Sequence, residues 1–220
     1  MIVPDRVIRS KRKTLAVSVD SLGKIIVRAP KSCTDKRIAA FLAEKENWIL
    51  RHKKRMEEAG VELPSENLDG YRFPILGEFY QIFLTDETRV RWCVEEKKLF
   101  LPRSNTEKRL KTWLKENAKL VFERTTYRFA EEMGVEPLSI KIASSRRRWG
   151  GCHFNNEIEY TFRLLYAPKE IVDYVVVHEL SHILHKDHSK AFWAQVQSVC
   201  PDYAKKREWL KSHGALMYIL

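Results

Sequence analysis

The chain has 220 residues, with 40 lysines and arginines against 29 aspartates and glutamates, a formal net charge of +11. Hydrophobic residues make up 44% and charged residues 31%, which is ordinary for a soluble globular protein. No apolar run approaches the roughly 18 residues of a transmembrane helix. A chain of this length can bury about 70% of its unfolded surface, so it needs no disulfide to fold.

The start of the chain and its cysteines favour a cytoplasmic protein with no membrane partner. Met1 to Arg6 lack the apolar segment of a signal peptide. The four cysteines lie far apart in the sequence, at Cys33, Cys93, Cys152 and Cys200. That spacing predicts reduced thiols rather than a disulfide framework or a zinc knuckle.

The basic excess is concentrated in four stretches. These run from Arg6 to Lys13, Arg51 to Arg55, Arg146 to Arg148, and Lys205 to Lys211. Such patches attract nucleic acid, acidic membranes or acidic proteins. A solvated basic surface is the simpler interpretation, because no aromatic ladder interleaves the basic runs as single-strand binding would favour. Nucleic acid is therefore an allowed partner but not a favoured one.

A β-hairpin is predicted near the N-terminus. Apolar residues alternate with polar or small ones in two runs, 15–19 and 25–29, on either side of a turn at 20–23. Thr34 or Ser32 can cap the helix that follows, whose apolar positions have helical spacing and which ends near Gly60. Trp48 of that helix is expected to lie in the core.

The middle of the chain predicts a small β-rich part followed by a long helix. Candidate strands are 71–77, 80–84, 90–94 and 98–101. Residues 102–105 break the pattern, and Thr106 is predicted to cap an amphipathic helix that ends at Gly134. We place a loose domain boundary near Pro102, between an N-terminal α+β region (1–102) and a C-terminal region (103–220).

The C-terminal region continues with alternating strands and helices. Strands are predicted at 138–142 and 158–165 with a loop at 144–152 between them, then helices at 168–185 and 190–199. Pro168 suits the first turn of a helix, where its missing N–H costs nothing. The chain as a whole is therefore predicted to be α+β.

The most informative feature is an HExxH motif, His178-Glu179-Leu180-Ser181-His182. Histidines at i and i+4 project from one face of a helix and can hold one zinc ion at roughly 2.0–2.1 Å each. Glu179 can then reach a metal-bound water and take its proton. The apolar run 171–177 predicts that this helix is buried. The motif also arises by chance, and then the histidines are structural and the glutamate is exposed.

A catalytic zinc site needs a third protein ligand and an open position. His185 lies about 10.5 Å along a continuous helix from His178, too far to share one metal, so it is expected to support the site or lie at the surface. His188 can return to the pair if the helix stops near His185 and Ser189 caps a new helix. His188 is therefore the favoured third ligand, and Glu208 is the runner-up.

These motifs resemble a known family. HELSHILHKDHSKAFW, preceded by RRRWGGC and IVDYVVV, is similar to the YgjP-like (DUF45) metal-dependent hydrolases, zincin-type proteins related to the SprT/WLM metallopeptidases. The resemblance covers nearly the whole chain, including IRSKRKTLAVSVDSLGKIIVRAP near the start and an LGE turn at 76–78. It implies that the C-terminal region (103–220) is a minimal zincin-like metallopeptidase domain. It also implies His178, His182 and His188 as metal ligands and Glu179 as catalytic base. The chain departs from the family pattern at two places. It has RWGGC where the family has RWGSC, and YTFRL where the family has LNWRL, and neither segment contains a proposed ligand.

The combined prediction is a zinc-dependent metallohydrolase, a peptidase in which Glu179 assists attack of metal-bound water on a peptide carbonyl. The expected partner is a peptide or protein substrate, which could add to the edge of the strand at 158–165. Candidate oxyanion stabilisers are Tyr160, Tyr166, Arg148 and Arg163. Two alternatives remain: a nucleic-acid-associated SprT-like protease, and a metal-binding scaffold without turnover. Glu179 argues against the scaffold, since a structural zinc would use a fourth protein ligand.

Overall fold

The computed structural model describes residues 2–19, 24–58 and 68–219. The described residues form six α-helices and three small sheets, which confirms the α+β prediction. The chain divides into two compact units, Met1–Ser65 with Ser212–Ile219, and Glu66–Lys211 with Leu220. The division lies near residue 65 rather than near Pro102, where the sequence analysis placed the loose boundary between 1–102 and 103–220. The reason is that the strands before Pro102 pack with the helix that follows it.

The first unit contains a three-stranded sheet. Its strands are β1 (Arg6–Ser10), β2 (Ala16–Val19) and β3 (Ile25–Pro30), in the order β1-β3-β2. β2 and β3 pair antiparallel, with Val17 opposite Val27, as the hairpin prediction requires. The turn predicted at 20–23 lies outside the described residues. β1 pairs parallel to β3 and was not predicted.

Two helices, α1 (Asp35–Glu44) and α2 (Glu46–Glu58), follow the sheet. The Thr34 hydroxyl accepts the N–H of Arg37 at 3.3 Å, which confirms the predicted cap. The single predicted helix is interrupted at Lys45, and its predicted end near Gly60 lies outside the described residues. Trp48 is 42% exposed, so its assignment to the core was wrong, because Ile49 fills that position instead.

The second unit begins with a four-stranded sheet. Its strands are β4 (Arg72–Ile75), β5 (Glu78–Thr85), β6 (Arg91–Cys93) and β7 (Lys98–Pro102), in the order β4-β5-β7-β6. All four were predicted. Between β4 and β5, Gly77 has φ +88°, and a Cβ there would lie 3.2 Å from the Cα of Pro168. A glycine is thus required both by its conformation and by the close approach of the turn to the helix that begins after Pro168.

The remaining elements surround the HExxH motif. They are α3 (Thr106–Met133), β8 (Ser139–Ala143), β9 (Gly150–Cys152), β10 (Glu157–Thr161), a 3-10 helix (Phe162–Tyr166), α4 (Lys169–Leu184), α5 (Lys190–Val199) and α6 (Tyr203–Ser212). α3 begins one residue after Asn105, which takes the capping position predicted for Thr106. It ends at Gly134, as predicted, in the left-handed conformation with φ 64°.

The third sheet has the order β8-β10-β9. β10 pairs parallel to β8 and antiparallel to β9, so it is the central strand. The expectation that the strand at 158–165 offers a free edge was therefore wrong, and its last residues form the 3-10 helix instead. The edge beside α4 belongs to β9. Among the described residues, no helix is long and apolar enough to cross a membrane.

Candidate metal centre and active site

α4 carries the HExxH motif through the core of the second unit. It begins directly after Pro168, and Ile171, Val172, Val175, Val176 and Val177 are all at most 3% exposed. Burial of each such aliphatic side chain contributes about 1.5–3 kcal/mol to folding. The helix packs against α3, α5 and β9, so the residues of the motif project from a rigid element.

The chain turns sharply after α4. The helix ends at Leu184, and His185 is extended, with φ −130° and ψ 104°. The Asp187 carboxylate accepts the N–H of Ser189 at 3.2 Å. The Ser189 hydroxyl accepts the N–H of Phe192 at 3.4 Å and caps α5. The predicted helix end, turn and cap are confirmed, and they bring His188 back to the motif.

Three imidazoles converge at this point. Ligand nitrogens of His178, His182 and His188 all lie within 4.8 Å of one another. Nε2 of His178 and Nε2 of His188 are 3.2 Å apart. Nδ1–H of His182 donates to the carbonyl oxygen of His185 at 3.0 Å, which leaves the lone pair of its Nε2 free. Within the described ranges, no other group of three or more metal-ligating side chains meets the same distance criterion.

This donor set fits a divalent metal such as zinc. Two nitrogens that each lie 2.0–2.1 Å from a tetrahedral zinc are about 3.3 Å apart, close to the separation of the His178 and His188 nitrogens. The bond from His182 to the His185 carbonyl is the kind of contact that orients a ligating imidazole. The metal implied by the motif therefore has three suitable protein ligands here.

Aromatic rings from α5 hold the imidazoles in place. The centroid of the fully buried Phe192 ring lies 4.4 Å from that of His182, 4.8 Å from that of His188 and 4.9 Å from that of His178. Trp193 stacks on His188 at 5.7 Å. Burial lowers the pKa of His178 to about 3, and it also lowers the pKa of His182. Both rings are thus neutral, the form in which histidine binds metals.

Glu179 is held against β9. It is 6% exposed, and the N–H of Cys152 donates to its carboxylate. A Cβ built on Gly150 would lie 2.7 Å from its Oε1, so that glycine leaves the space that the carboxylate fills. Burial raises the pKa of Glu179 to about 8, against the smaller opposing effects of Arg148 and the Cys152 N–H. The raised pKa brings this carboxyl group closer to the near-neutral range in which a residue can both accept and return a proton.

The alternative ligands do not join the cluster. The side chain of His185 is not part of it, although its carbonyl supports His182. Glu208 lies on α6 and forms an exposed ion pair with Lys211 at 2.9 Å. Both are therefore less suitable than His188 as a third ligand.

Of the candidate oxyanion stabilisers, only Arg148 lines the cleft beside His178 and Glu179. The Tyr160 hydroxyl is buried and lies 3.1 Å from that of Thr126. Tyr166 is 2% exposed, and Arg163 donates to the Ser144 carbonyl at 3.0 Å. These three residues support the core around the site instead.

Sequence reasoning missed several residues of the site. Tyr174 lines the cleft one turn before His178, and the i−4 spacing could have revealed it. Arg207 and Lys211 line it from α6, where only their basic character was noted. The contact of Gly150 with Glu179 left no local signal, because it depends on how β9 packs against α4.

The model of the "YgjP-like, metallopeptidase domain" family matches residues 13–213. No curated protein sequence matches the chain. Among solved structures, the crystal structure of the metallopeptidase zymogen of Pyrococcus abyssi abylysin is similar over 41% of this chain and 92% of that one. The two are 20% identical, with a TM-score of 0.39.

Proposed function

Since the chain belongs to the YgjP-like metallopeptidase family, as its motifs indicated, we propose that it is a zinc-dependent peptidase. His178, His182 and His188 hold the metal, and Glu179 is the general base. The observation that carries this proposal is the convergence of three histidine nitrogens within 4.8 Å, two of them on the helix that also presents the buried Glu179.

The proposal of zinc follows from the ligand set. Three imidazoles with an open fourth position are typical of catalytic zinc. Zinc supplies Lewis acidity, which lowers the pKa of water and polarises the substrate carbonyl. Glu179 is not one of the clustered ligand groups, which supports its role as base rather than as ligand.

Glu179 moves the proton in the proposed reaction. Its carboxylate accepts a proton from the water that attacks the peptide carbonyl, and it then donates that proton to the leaving amine. The N–H of Cys152 and the close approach of Gly150 fix the carboxylate in one position. The same group therefore acts first as base and then as acid.

The edge of β9 is the proposed place for an extended substrate. The N–H of Thr161 donates to Trp149 O, and that of His153 donates to Glu157 O. With this register the backbone of Gly151 faces β10, and the polar groups of Gly150 face the free edge. A peptide that pairs with this edge would lie beside Glu179.

Metal content and cleavage should be lost together. We expect the purified protein to contain about one zinc per chain and to cut a peptide mixture, with new termini identified by mass spectrometry. His188→Ala should lose both zinc and cleavage, whereas the control His153→Ala, an exposed histidine outside the cluster, should keep both. An undiminished zinc content in His188→Ala would show that His188 is not a ligand, and His185 or Glu208 would then be the candidate third ligand. Cleavage that survives removal of zinc by a chelator would overturn the proposal.

A further inference from the structure

A cleft of about 340 Å³ opens beside His178 and Glu179. α4 forms one wall, the segment from Arg148 to Gly150 forms a second, and α6 forms a third. A volume at the lower end of the range for ligand sites suits one or two amino-acid side chains rather than a large cofactor. Whatever occupies it therefore lies next to the residues proposed to cleave the peptide bond.

The charged side chains that line this cleft are mostly basic. Three of its lining side chains are basic, namely Arg148, Arg207 and Lys211. Glu179 is the sole carboxylate among the described residues that line it, and it is 6% exposed and turned toward β9. The accessible charge in the cleft is therefore positive, which favours an anionic group of the substrate and disfavours a cationic one.

Two of the three basic groups already have carboxylate partners. Arg148 donates to Oε1 of Glu159 at 2.7 Å, and the ammonium of Lys211 lies 2.9 Å from Glu208. Both side chains of the Lys211 pair are exposed, so the pair contributes little to stability. Such pairs can be exchanged for a substrate carboxylate at small cost.

Arg207 is different. Its guanidinium lies over the Trp193 ring, 4.9 Å from the centroid, and Trp193 in turn stacks on His188. In the part of the chain that the structure describes, no carboxylate pairs with it. Stacking on an aromatic face restrains a guanidinium and leaves the N–H groups at its edge free to bind a carboxylate bidentately. The ring contacts thus connect this cation directly to the histidine cluster.

We propose that the cleft is a subsite for a carboxylate of the peptide substrate close to the scissile bond, with Arg207 as its main ligand and Arg148 and Lys211 as supporting charges. The carboxylate comes either from an aspartate or glutamate side chain or from the free C-terminus of the peptide. Trp149 and Leu210 supply apolar surface for the stem of the bound residue. This inference rests on the proposed peptidase function, and it deepens that function by naming the substrate class.

Binding and cleavage together test the subsite. Peptides carry Glu, Gln or Lys in turn at each position around the cleaved bond, each with a free and with an amidated C-terminus. For the zinc-loaded wild-type protein we expect kcat/KM to be at least tenfold higher for the Glu peptide than for the Gln peptide. The Lys peptide should have the lowest kcat/KM. If the preference for Glu over Gln persists in the amidated peptides, the bound carboxylate is that of the side chain. If amidation removes the preference, the bound carboxylate is that of the C-terminus.

Variants of α6 separate this subsite from general charge effects. Arg207→Gln should reduce the preference for Glu over Gln to about twofold or less, and Arg207→Glu should reverse it in favour of Lys. The control Lys205→Gln removes one charge from an exposed position on the same helix that does not line the cleft, so the preference should remain.

Peptide binding to the zinc-loaded Glu179→Gln protein, measured by calorimetry, reports the subsite without turnover. Tighter binding of the Glu peptide than of the Gln peptide supports the inference even if no cleavage is observed. Equal affinity for the two, or a preference unchanged by Arg207→Gln, overturns it. Displacement of the Glu peptide by a single-stranded oligonucleotide at 150 mM salt would also overturn it in favour of a nucleic-acid site. Cleavage of acidic and neutral peptides at equal rates leaves the peptidase proposal intact while the subsite fails.

Discussion

The walls of the cleft differ in how they hold their charged groups. On α4, Glu179 is 6% exposed and fits against Gly150, and the neighbouring histidines are enclosed by Phe192. On α6 and before β9, Arg207, Lys211 and Arg148 are exposed. Groups that move protons or hold a metal gain from burial, because it fixes their position and shifts their pKa. Groups that select a substrate can remain solvated. Substitutions of the buried groups on α4 should therefore affect turnover, and substitutions of the exposed basic groups on the other two walls should affect substrate preference.

The largest effect is expected for Glu179→Gln. The amide keeps the shape of the side chain but cannot take a proton, so hydrolysis should fall by several powers of ten, since loss of the base and weaker activation of water act together. Zinc content, measured by elemental analysis, should stay near the wild-type value. Full activity in this variant would remove Glu179 from the mechanism and end this distinction between buried and exposed groups.

The second largest effect is expected on thermal stability when the metal is removed. A ligand that binds the folded state alone stabilises it by about 4 kcal/mol when its concentration is a thousandfold above its Kd. For a chain of this size, that corresponds to a fall in Tm of roughly 10 °C on chelation. Scanning calorimetry with and without chelator measures it, and added zinc should restore the Tm. His188→Ala should show a much smaller chelator effect, and an effect as large as in wild type would contradict its role as a ligand.

Gly150→Ala tests whether the position of Glu179 matters. A Cβ at this site would lie 2.7 Å from Oε1 and 2.9 Å from Cγ of Glu179, so the carboxylate must shift. We expect about a 10- to 100-fold lower kcat on a neutral peptide with zinc content unchanged, since a displacement near 1 Å can have this effect.

The neighbouring Gly151→Ala is the matched control. Its Cβ would lie 3.2 Å from Nη1 of Arg148, the flexible end of a long side chain that can move aside. We expect less than a threefold change in kcat on the same neutral peptide. Equal losses in the two variants would mean that the strand as a whole is sensitive, and Gly150 would then have no special role in positioning Glu179.

How much of the site the sequence could predict differs between the metal ligands and the residues that pack around them. The spacing of His178 and His182 on a helix and the Ser189 cap are local features, so the helix end and the return of His188 followed from the chain itself. The contact of Gly150 with Glu179 could not be predicted, because 144–152 has the composition of a loop. Its last three residues form a strand only by pairing with β10.

Helix register shows the same limit of local patterns. Trp48 and Ile49 are adjacent and both apolar, and the break at Lys45 separates the helix that contains them from the one before. Periodicity across a presumed continuous helix placed both on its apolar face, whereas Trp48 is 42% exposed and Ile49 is buried. Arg207 likewise follows the motif by more than 20 residues, and only the packing of α6 brings it to the cleft.

The smallest effect is expected for binding to DNA. If the exposed basic groups serve only the substrate subsite and solvation, binding should be weak and largely lost near 150 mM salt. The structure favours this outcome, since Arg148 is already paired with Glu159 and Arg207 rests on Trp193. A filter-binding titration across salt measures it, and each phosphate contact contributes about −0.9 to the log–log slope. A slope of about −5 or steeper, with submicromolar affinity at 150 mM salt and dependence on Arg51 to Arg55 or Arg146 to Arg148, would instead support a nucleic-acid-associated protease. The exposed basic side chains would then recruit a polymer, rather than select the peptide bond to be cleaved.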